Sequence, residues 1–558
     1  MTEKTIERTP SAYAYPLLIK HLIGNSVRQF PDQEIVYGSF KRQTYRDLNE
    51  RISRLASGLA GLGIKPGDTV AVMDWDSHRY LECFFAVPML GAVLHTINIR
   101  LSPEQILYTI NHAEDDIILI NIEFLPILET IRDRIEPVKK LVLLNDNGHT
   151  PATTLDITIE YENLLMSGDS DHKFLDFSED TRATTFYTTG TTGLPKGVYF
   201  SHRQLVLHTL ALRSAVGGTG QGRFNRDDVY MPLTPMFHVH AWGFPYVATL
   251  LGVKQIYPGR YVPEHLLSLI QREKVTFSHC VPTILQMLLD SPKVDEVDLS
   301  HWKVAIGGSA LPLSLAKRTL DRGADVFGAY GLSETCPILT LAHLKPHMLH
   351  WDQEQQLPIR CKAGLPIPMV ELRIVDEDMN DLAPGSNSTG EVLTRAPWLT
   401  QGYLRDPHSS ESLWRDGYLH TGDIGFIDAE GYLKITDRLK DVIKTGGEWI
   451  SSLELEDLIL KHPGVAEAAV IGIPDPKWGE RPLALVVSQP GRPTDATAIR
   501  DWLKDFVDQG LLSKWGIPDH VLLVDSIPKT SVGKLDKKVM RQQYTQEIRK
   551  DPSFQLDS

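Results

Sequence analysis

The sequence predicts an α/β protein with a large N-terminal region and a smaller C-terminal one, on three observations. Between Thr44 and Ile120 short apolar strands alternate with helical segments, the pattern of a parallel sheet covered on both faces. Between Gly364 and Glu391 the pattern turns to β, with Val370 to Asp376 alternating and Pro384-Gly385 marking a turn, which predicts a small β subdomain. A compact mixed unit follows residue 442, and a chain of 558 residues is too long for one core.

Taken in order, Tyr45 to Leu62 carries Leu48, Ile52, Leu55 and Leu59 at helical spacing and is ended by Gly61, Gly63 and Pro66-Gly67. Val70 to Trp75 reads as a strand, Arg79 to Leu90 as a helix and Ala92 to Ile97 as the next strand. Ser102-Pro103-Glu104-Gln105 opens a helix with an N-cap serine, a first-turn proline and an acid at the positive end of the dipole. Thr209 to Arg226, with its glycines from Gly217 to Gly222, reads as a flexible connector. Val275 to Pro282 and the run from Lys303 read as strands, the latter ending in a Gly-Gly-Ser turn. In the C-terminal unit, Ser452 to Lys461 and Thr497 to Asp508 are expected helices, and Val465 to Ile471 and Pro482 to Val487 expected strands.

The bulk properties exclude several functions. A net charge of −14 argues against a nucleic-acid binder, which needs a dense basic surface. Cys83, Cys280, Cys336 and Cys361 form no Cys-x-x-Cys pair, so neither a zinc ribbon nor a disulfide framework is expected. Residues 1–16 have no apolar core of a signal peptide, and no run approaches the roughly 18 apolar residues of a membrane span. A cytoplasmic enzyme is the expectation.

The stretch Thr184 to Ser201 breaks from a β-branched run into a loop of glycines and hydroxyls. Gly190, Gly193 and Gly197 free the backbone to present N–H groups to an anion, the threonines add donors, and Lys196 adds a point charge. It is not a P-loop, because Gly197 stands where that motif needs Ser or Thr for magnesium. His238 and His240 flank Val239 in a stretch too rich in proline and aromatics for ordinary helix. They allow a metal site or core histidines, but no nearby carboxylate or cysteine completes a ligand set.

Tyr187-Thr-Thr-Gly-Thr-Thr-Gly-Leu-Pro-Lys-Gly197 resembles the signature of the adenylate-forming superfamily, which holds acyl-CoA synthetases, luciferases and peptide-synthetase adenylation domains. Val326 to Thr335 and Gly431 to Ile450 carry the same resemblance, and His-Val-His-Ala-Trp-Gly from His238 resembles short- to medium-chain and methylthiopropionate-type CoA ligases. The resemblance implies an N-terminal domain, 1–437, of two stacked αβ subdomains plus the small β subdomain. A hinge at 438–442 and a mobile α+β domain at 443–558 would follow.

It also implies roles, residue by residue. Thr188, Thr189, Gly190, Thr191, Thr192, Gly193 and Lys196 would hold the phosphates of ATP. Gly308, Ser309, Ala310, Tyr330 and Gly331 would line the adenine, and Asp423, expected at a tight turn, and Arg438 would take the ribose. Glu334 would ligate Mg2+, Thr335 would donate to phosphate or carboxylate, and Lys534 would be the catalytic lysine of adenylation. His238, Trp242 and Gly307 would form the acyl pocket, His238 also having a catalytic role as a gate beside the carboxylate, with Phe244 and Tyr246 as further bulky residues of that motif. Lys440 would be the hinge, and Gly446, Gly447 and Glu448 would meet coenzyme A.

The expected reaction converts a small-molecule carboxylate, ATP and CoA to acyl-CoA, AMP and pyrophosphate, in either direction. Amino-acid-activating relatives carry an aspartate where His238 stands, so an α-amino acid is not expected: its buried ammonium would lack a partner. The 24 residues after Lys534 are too few for a carrier domain, so a diffusible acceptor is expected. A straight short or medium fatty acid leads, an aromatic acid is the alternative, and a luciferase-like oxygenase shares the adenylation motifs. A homodimer is compatible with the resemblance.

Overall fold

The computed structural model describes residues 4–550 except 147, 149–151, 189–193, 387, 446–447, 510–511 and 531–533. Its architecture is the α/β class read from the sequence, as four sheets. The first has seven strands, with Thr69–Met73 at its centre between Asp115–Asn121 and Val93–Thr96, all parallel. Arg182–Tyr187 extends it in parallel and Gly197–Ser201 closes the edge antiparallel. The second has nine strands; Val229–Leu233, Phe277–Cys280, Lys303–Ile306 and Asp325–Gly331 run parallel through its middle.

What joins these two sheets is the helix His78–Met89. Every one of its residues is buried, and it touches Val93–Thr96 and Arg182–Tyr187 in one sheet and Glu34–Tyr37 in the other. A helix apolar on nearly all faces has no solvent side and belongs between layers. Phe84 on this helix stacks on Tyr246 across the interface, ring centres 5.5 Å apart. One continuous core therefore runs through both layers.

An antiparallel sheet follows, containing Glu371–Val375, Gly390–Arg395, Tyr418–Ile427 and Leu433–Arg438. Four residues later Ile443–Thr445 begins the last sheet, whose two long strands Val465–Asp475 and Gly479–Ser488 pair antiparallel. That sheet has cores of its own on its two faces: one beneath the helices Ser452–Leu460 and Ala496–Asp508, one beneath Lys537–Lys550. Among the described residues, no helix is long and apolar enough to cross a membrane.

Two expectations need correction. The connector expected from Thr209 is helical as far as Gly217: a capping box at Ser201 and Gln204 starts His202–Gly217, and the leucines and alanines carry it to the first glycine pair. Asp423 lies within the strand Tyr418–Ile427, not at a tight turn. The turn-like residue is its neighbour Gly422, at φ +67°, just before a register shift in that strand.

Candidate active site

The segment after Val229–Leu233 has an unusual backbone. Val239, His240, Ala241 and Trp242 all have φ between +47° and +59°, a left-handed turn of four non-glycine residues. Such a conformation costs about 1–2 kcal/mol per residue, so the surroundings must fix it. They do: Asp76 Oδ1 accepts the Met236 N–H at 2.8 Å, Thr96 Oγ1 donates to the Phe237 carbonyl at 2.9 Å, and all four side chains are buried. The turn sends neighbouring histidines in different directions. His238 lines a cleft with Trp242, while His240 is packed among Phe84, Phe186 and Tyr246. The two rings do not converge on a shared ligand position.

The cleft holds about 30 Å³ of free volume and is lined by His238, Trp242, Gly307, Gly308, Tyr330, Gly331 and Lys534, together with Val239, Ala329, Leu332, Ser333, Pro337 and Ile338. Trp242 stands against Gly307 in this lining. A methyl on Gly307 would stand 3.1 Å from Trp242 Cη2 and 2.9 Å from the Ala329 carbonyl oxygen. Phe244 and Tyr246, by contrast, are fully buried core, stacked on His279 and Phe84, and are not pocket walls. Ser309 and Ala310 continue from Gly308 as exposed residues outside the lining.

Lys534 reaches this cleft from the C-terminal unit over Gly308, whose φ of +80° only glycine adopts cheaply and where a methyl would stand 3.0 Å from Lys534 Cε. Burial, and then the Arg438 charge, push the Lys534 ammonium down to about 8, against the pull of Asp423 and Glu334. His238 is driven to about 3, by burial first and then by Lys534 and Arg100, and is therefore neutral at physiological pH.

The Lys534 shift predicts a pH profile. Below pH 8 the lysine is charged and competent, and as pH rises through 8 it loses the charge a phosphate needs. Hence any activity that depends on the Lys534 charge is expected to fall along a one-proton limb near pH 8, and Lys534→Arg to remove the limb. A wild-type profile level well above pH 8 contradicts this.

Tyr330 forms one wall and donates its hydroxyl to Asp423 Oδ2 at 2.7 Å. Arg438 Nε stands 3.2 Å from Asp423 Oδ1, joining two adjacent strands of the antiparallel sheet at the Asp423–Arg438 register pair. Burial pushes the Asp423 carboxyl upward, and Arg438, Tyr330 and Lys534 oppose that shift. The result is an aromatic face with a buried carboxylate beside it, the equipment for a base and a ribose.

Behind it, Asp325–Gly331 ends in the short turn Ser333–Thr335. Gly331 packs so tightly that a methyl would stand 1.7 Å from the Pro337 carbonyl oxygen. Thr335 is fully buried, and its hydroxyl accepts the Leu332 N–H at 2.9 Å and donates to the Pro337 carbonyl, with the Leu332 carbonyl also within 3.1 Å. In this arrangement Thr335 holds the turn through its hydroxyl.

Glu334 is half-buried. Its Oε1 accepts from Tyr403 at 2.7 Å, and among the described residues nothing donates to Oε2. A single carboxylate completed by substrate phosphates is a usual way to hold magnesium, and among the described residues no cluster of three His, Cys, Asp or Glu offers an all-protein cage. The donor set fits the ion. At the neck of the glycine loop the Thr188 N–H donates to the Lys196 carbonyl at 3.0 Å, and the Lys196 ammonium lies 4.6 Å from the Tyr403 ring centre. Thr189, Gly190, Thr191, Thr192 and Gly193 lie outside the described residues, as do Gly446 and Gly447; Glu448 lies on the strand Glu448–Ile450.

Around the expected hinge the chain is tied down on both sides. Asp437 accepts from the Ser452 N–H and hydroxyl at 2.6 and 2.7 Å, Lys537 donates to the Ser452 hydroxyl and pairs with Glu456, and Arg541 pairs with Asp441. Burial lowers the Lys440 ammonium. Tyr403 and the Asp437 network had escaped the sequence reading. A lone Tyr in Gln401-Gly-Tyr-Leu404 and a lone Asp before Arg438 carry no local signal, and only the fold brings them to the site.

The chain matches the AMP-binding enzyme family over residues 24–404 and the AMP-binding enzyme C-terminal domain over 454–534. It is 42% identical to a long-chain-fatty-acid–CoA ligase of Thermus thermophilus, over 91% of each chain. It is 38% identical to a 3-methylmercaptopropionyl-CoA ligase of Ruegeria lacuscaerulensis, over 95% of this chain and 97% of that one. Among solved structures, ATP-bound MatB from Rhodopseudomonas palustris superposes with a TM-score of 0.80 at 26% identity, covering 95% of this chain and 99% of the other.

Proposed function

Because the chain belongs to the AMP-binding enzyme family, we propose that it joins a carboxylic acid to coenzyme A with ATP, releasing AMP and pyrophosphate through an acyl-adenylate. It is an acid–thiol ligase, an AMP-forming acyl-CoA synthetase, as its relatives over nine-tenths of its length are. The observation that carries the reading is Lys534 from the C-terminal unit lying in one cleft with Tyr330, His238 and Trp242 of the N-terminal body.

In the first half-reaction a carboxylate oxygen attacks the α-phosphorus of ATP, and pyrophosphate leaves with the electron pair of the broken P–O bond. Two anions must be brought together, so positive charge at the junction lowers the barrier. Lys534 supplies it between acyl and phosphate oxygens, Lys196 at the departing pyrophosphate, and Asp423 with Arg438 fixes the ribose. Bound at Glu334, magnesium would neutralise phosphate charge. Neutral His238 and Trp242 border the acyl group. In the second, the CoA sulfur attacks the acyl carbonyl and AMP departs. Before that attack, rotation at 438–442, about Lys440, would withdraw Lys534 and bring Gly446, Gly447 and Glu448 to the cleft.

The acid is a short- or medium-chain fatty acid. The indole of Trp242 against Gly307 shortens the cavity, and the relatives' names bracket this size from methylmercaptopropionate to long chains. Trp242→Gly is expected to shift the optimum to longer acids, each newly accommodated methylene adding about 0.8 kcal/mol, or roughly fourfold in kcat/KM. Chain-length ranking of kcat/KM checks it, and an unchanged ranking refutes the pocket assignment.

A further inference from the structure

We propose that Tyr403 is a positioning residue of the ATP site, setting Glu334 and Lys196 at a fixed separation so that both address the same phosphates. This rests on the reading of Glu334 as the magnesium carboxylate and of Lys196 as a phosphate ligand. Tyr403 touches each by a different part of its side chain. The hydroxyl donates to Glu334 Oε1 at 2.7 Å, and the ring face carries the Lys196 ammonium 4.6 Å from its centre. A hydrogen bond to one carboxylate oxygen leaves the second oxygen available as a ligand, and a cation on a ring face is attracted while its N–H groups stay free for an anion.

The backbone around Tyr403 is built as a strap between the two elements. The Thr400 N–H donates to the Glu334 carbonyl at 2.9 Å, and the Thr400 hydroxyl donates to the Tyr199 carbonyl at 3.0 Å. The Leu404 N–H donates to the Gly197 carbonyl at 2.8 Å, next to Lys196, and Val198 bridges to Tyr403. The Tyr403 N–H is itself held by Ser410 Oγ at 2.8 Å. Residues 400–404 therefore bind the turn of Glu334 and the exit strand of the glycine loop at once, and Tyr403 alone in the strap reaches both functional side chains. Tyrosine is the residue type that does both jobs, since phenylalanine keeps the ring and loses the donor, and leucine loses both.

The test compares Tyr403→Phe, Tyr403→Leu, Glu334→Gln and the Tyr403→Phe/Glu334→Gln pair in the full-length enzyme. Pyrophosphate–ATP exchange is followed as magnesium is titrated. A second readout is the thermal upshift given by magnesium with α,β-methylene-ATP, which requires no turnover. Tyr403→Phe is expected to keep the melting temperature of the free enzyme, to raise the magnesium concentration for half-maximal exchange about fivefold, and to reduce the ligand-induced upshift. Its effect should vanish in the Glu334→Gln background, whereas Tyr403→Leu should in addition raise KM for ATP. A wild-type magnesium titration in Tyr403→Phe, with Glu334→Gln impaired, overturns the role of Tyr403 alone. An unaltered magnesium titration in Glu334→Gln overturns the assignment of Glu334 and the proposal with it. Additive effects in the pair, or a lowered melting temperature with the ligand upshift intact, reduce Tyr403 to a structural residue and also overturn it.

Discussion

Replacing Lys534 with methionine is expected to lower acyl-adenylate formation about 10²–10³-fold, the scale seen when one preorganised charge is removed from a developing anion. Methionine keeps most of the stem that packs over Gly308, so the loss reports the ammonium and not the fold. Two features of the site support so large an effect. The cleft is poorly hydrated enough to bring the ammonium down to about 8, and in such surroundings a charge acts more strongly than in water. No described group other than Lys534 brings a mobile cation into the lining of the cleft. Thioester formation from supplied acyl-adenylate and CoA should be nearly unchanged, because the lysine has no charge to neutralise in that step. Measuring the two half-reactions separately decides it, and equal losses in both contradict the assignment.

The second large effect is expected at Asp423. In Asp423→Ala the Tyr330 hydroxyl and the Arg438 guanidinium lose their shared partner, and a bound ribose loses its acceptor. Charge-assisted hydrogen bonds of this type contribute about 1.5–3 kcal/mol each, so kcat/KM for ATP should fall about 10²-fold, with KM for the acid little changed. Initial rates against ATP check this, and an unchanged KM for ATP with lowered turnover places Asp423 elsewhere in the mechanism. Asp423→Asn should lose less, since the amide oxygen still accepts.

How much of this was legible in the sequence differs from element to element. The central strands and the buried helix His78–Met89 were readable because apolar runs act locally, although its serine cap at Ser77 was not read. The stretch from Met231 to Tyr246 was expected not to form ordinary helix, yet Phe244 opens the helix Phe244–Leu251, and nothing in the stretch announced four consecutive left-handed residues before it. That conformation is imposed by Asp76 and Thr96, about 140 to 160 residues away in sequence. The same holds for Asp423, whose chemistry was readable and whose place within a strand depends on pairing with Arg438. Phe244 and Tyr246 misled because bulk in a pocket motif does not say which way a helix faces; their rings turn into the layer interface. Thr335 shows a third kind of limit: its hydroxyl is taken by backbone groups that only the folded turn brings near.

The most direct test of the account is AMP formation by the purified protein with ATP and magnesium, with and without CoA, across acids from acetate to decanoate, benzoate and several amino acids. The account predicts a single maximum among the short or medium fatty acids, and turnover that requires CoA. Carboxylate-dependent exchange of pyrophosphate into ATP without CoA-dependent turnover on any acid would contradict the ligase assignment, and a maximum on benzoate or an amino acid would contradict the pocket.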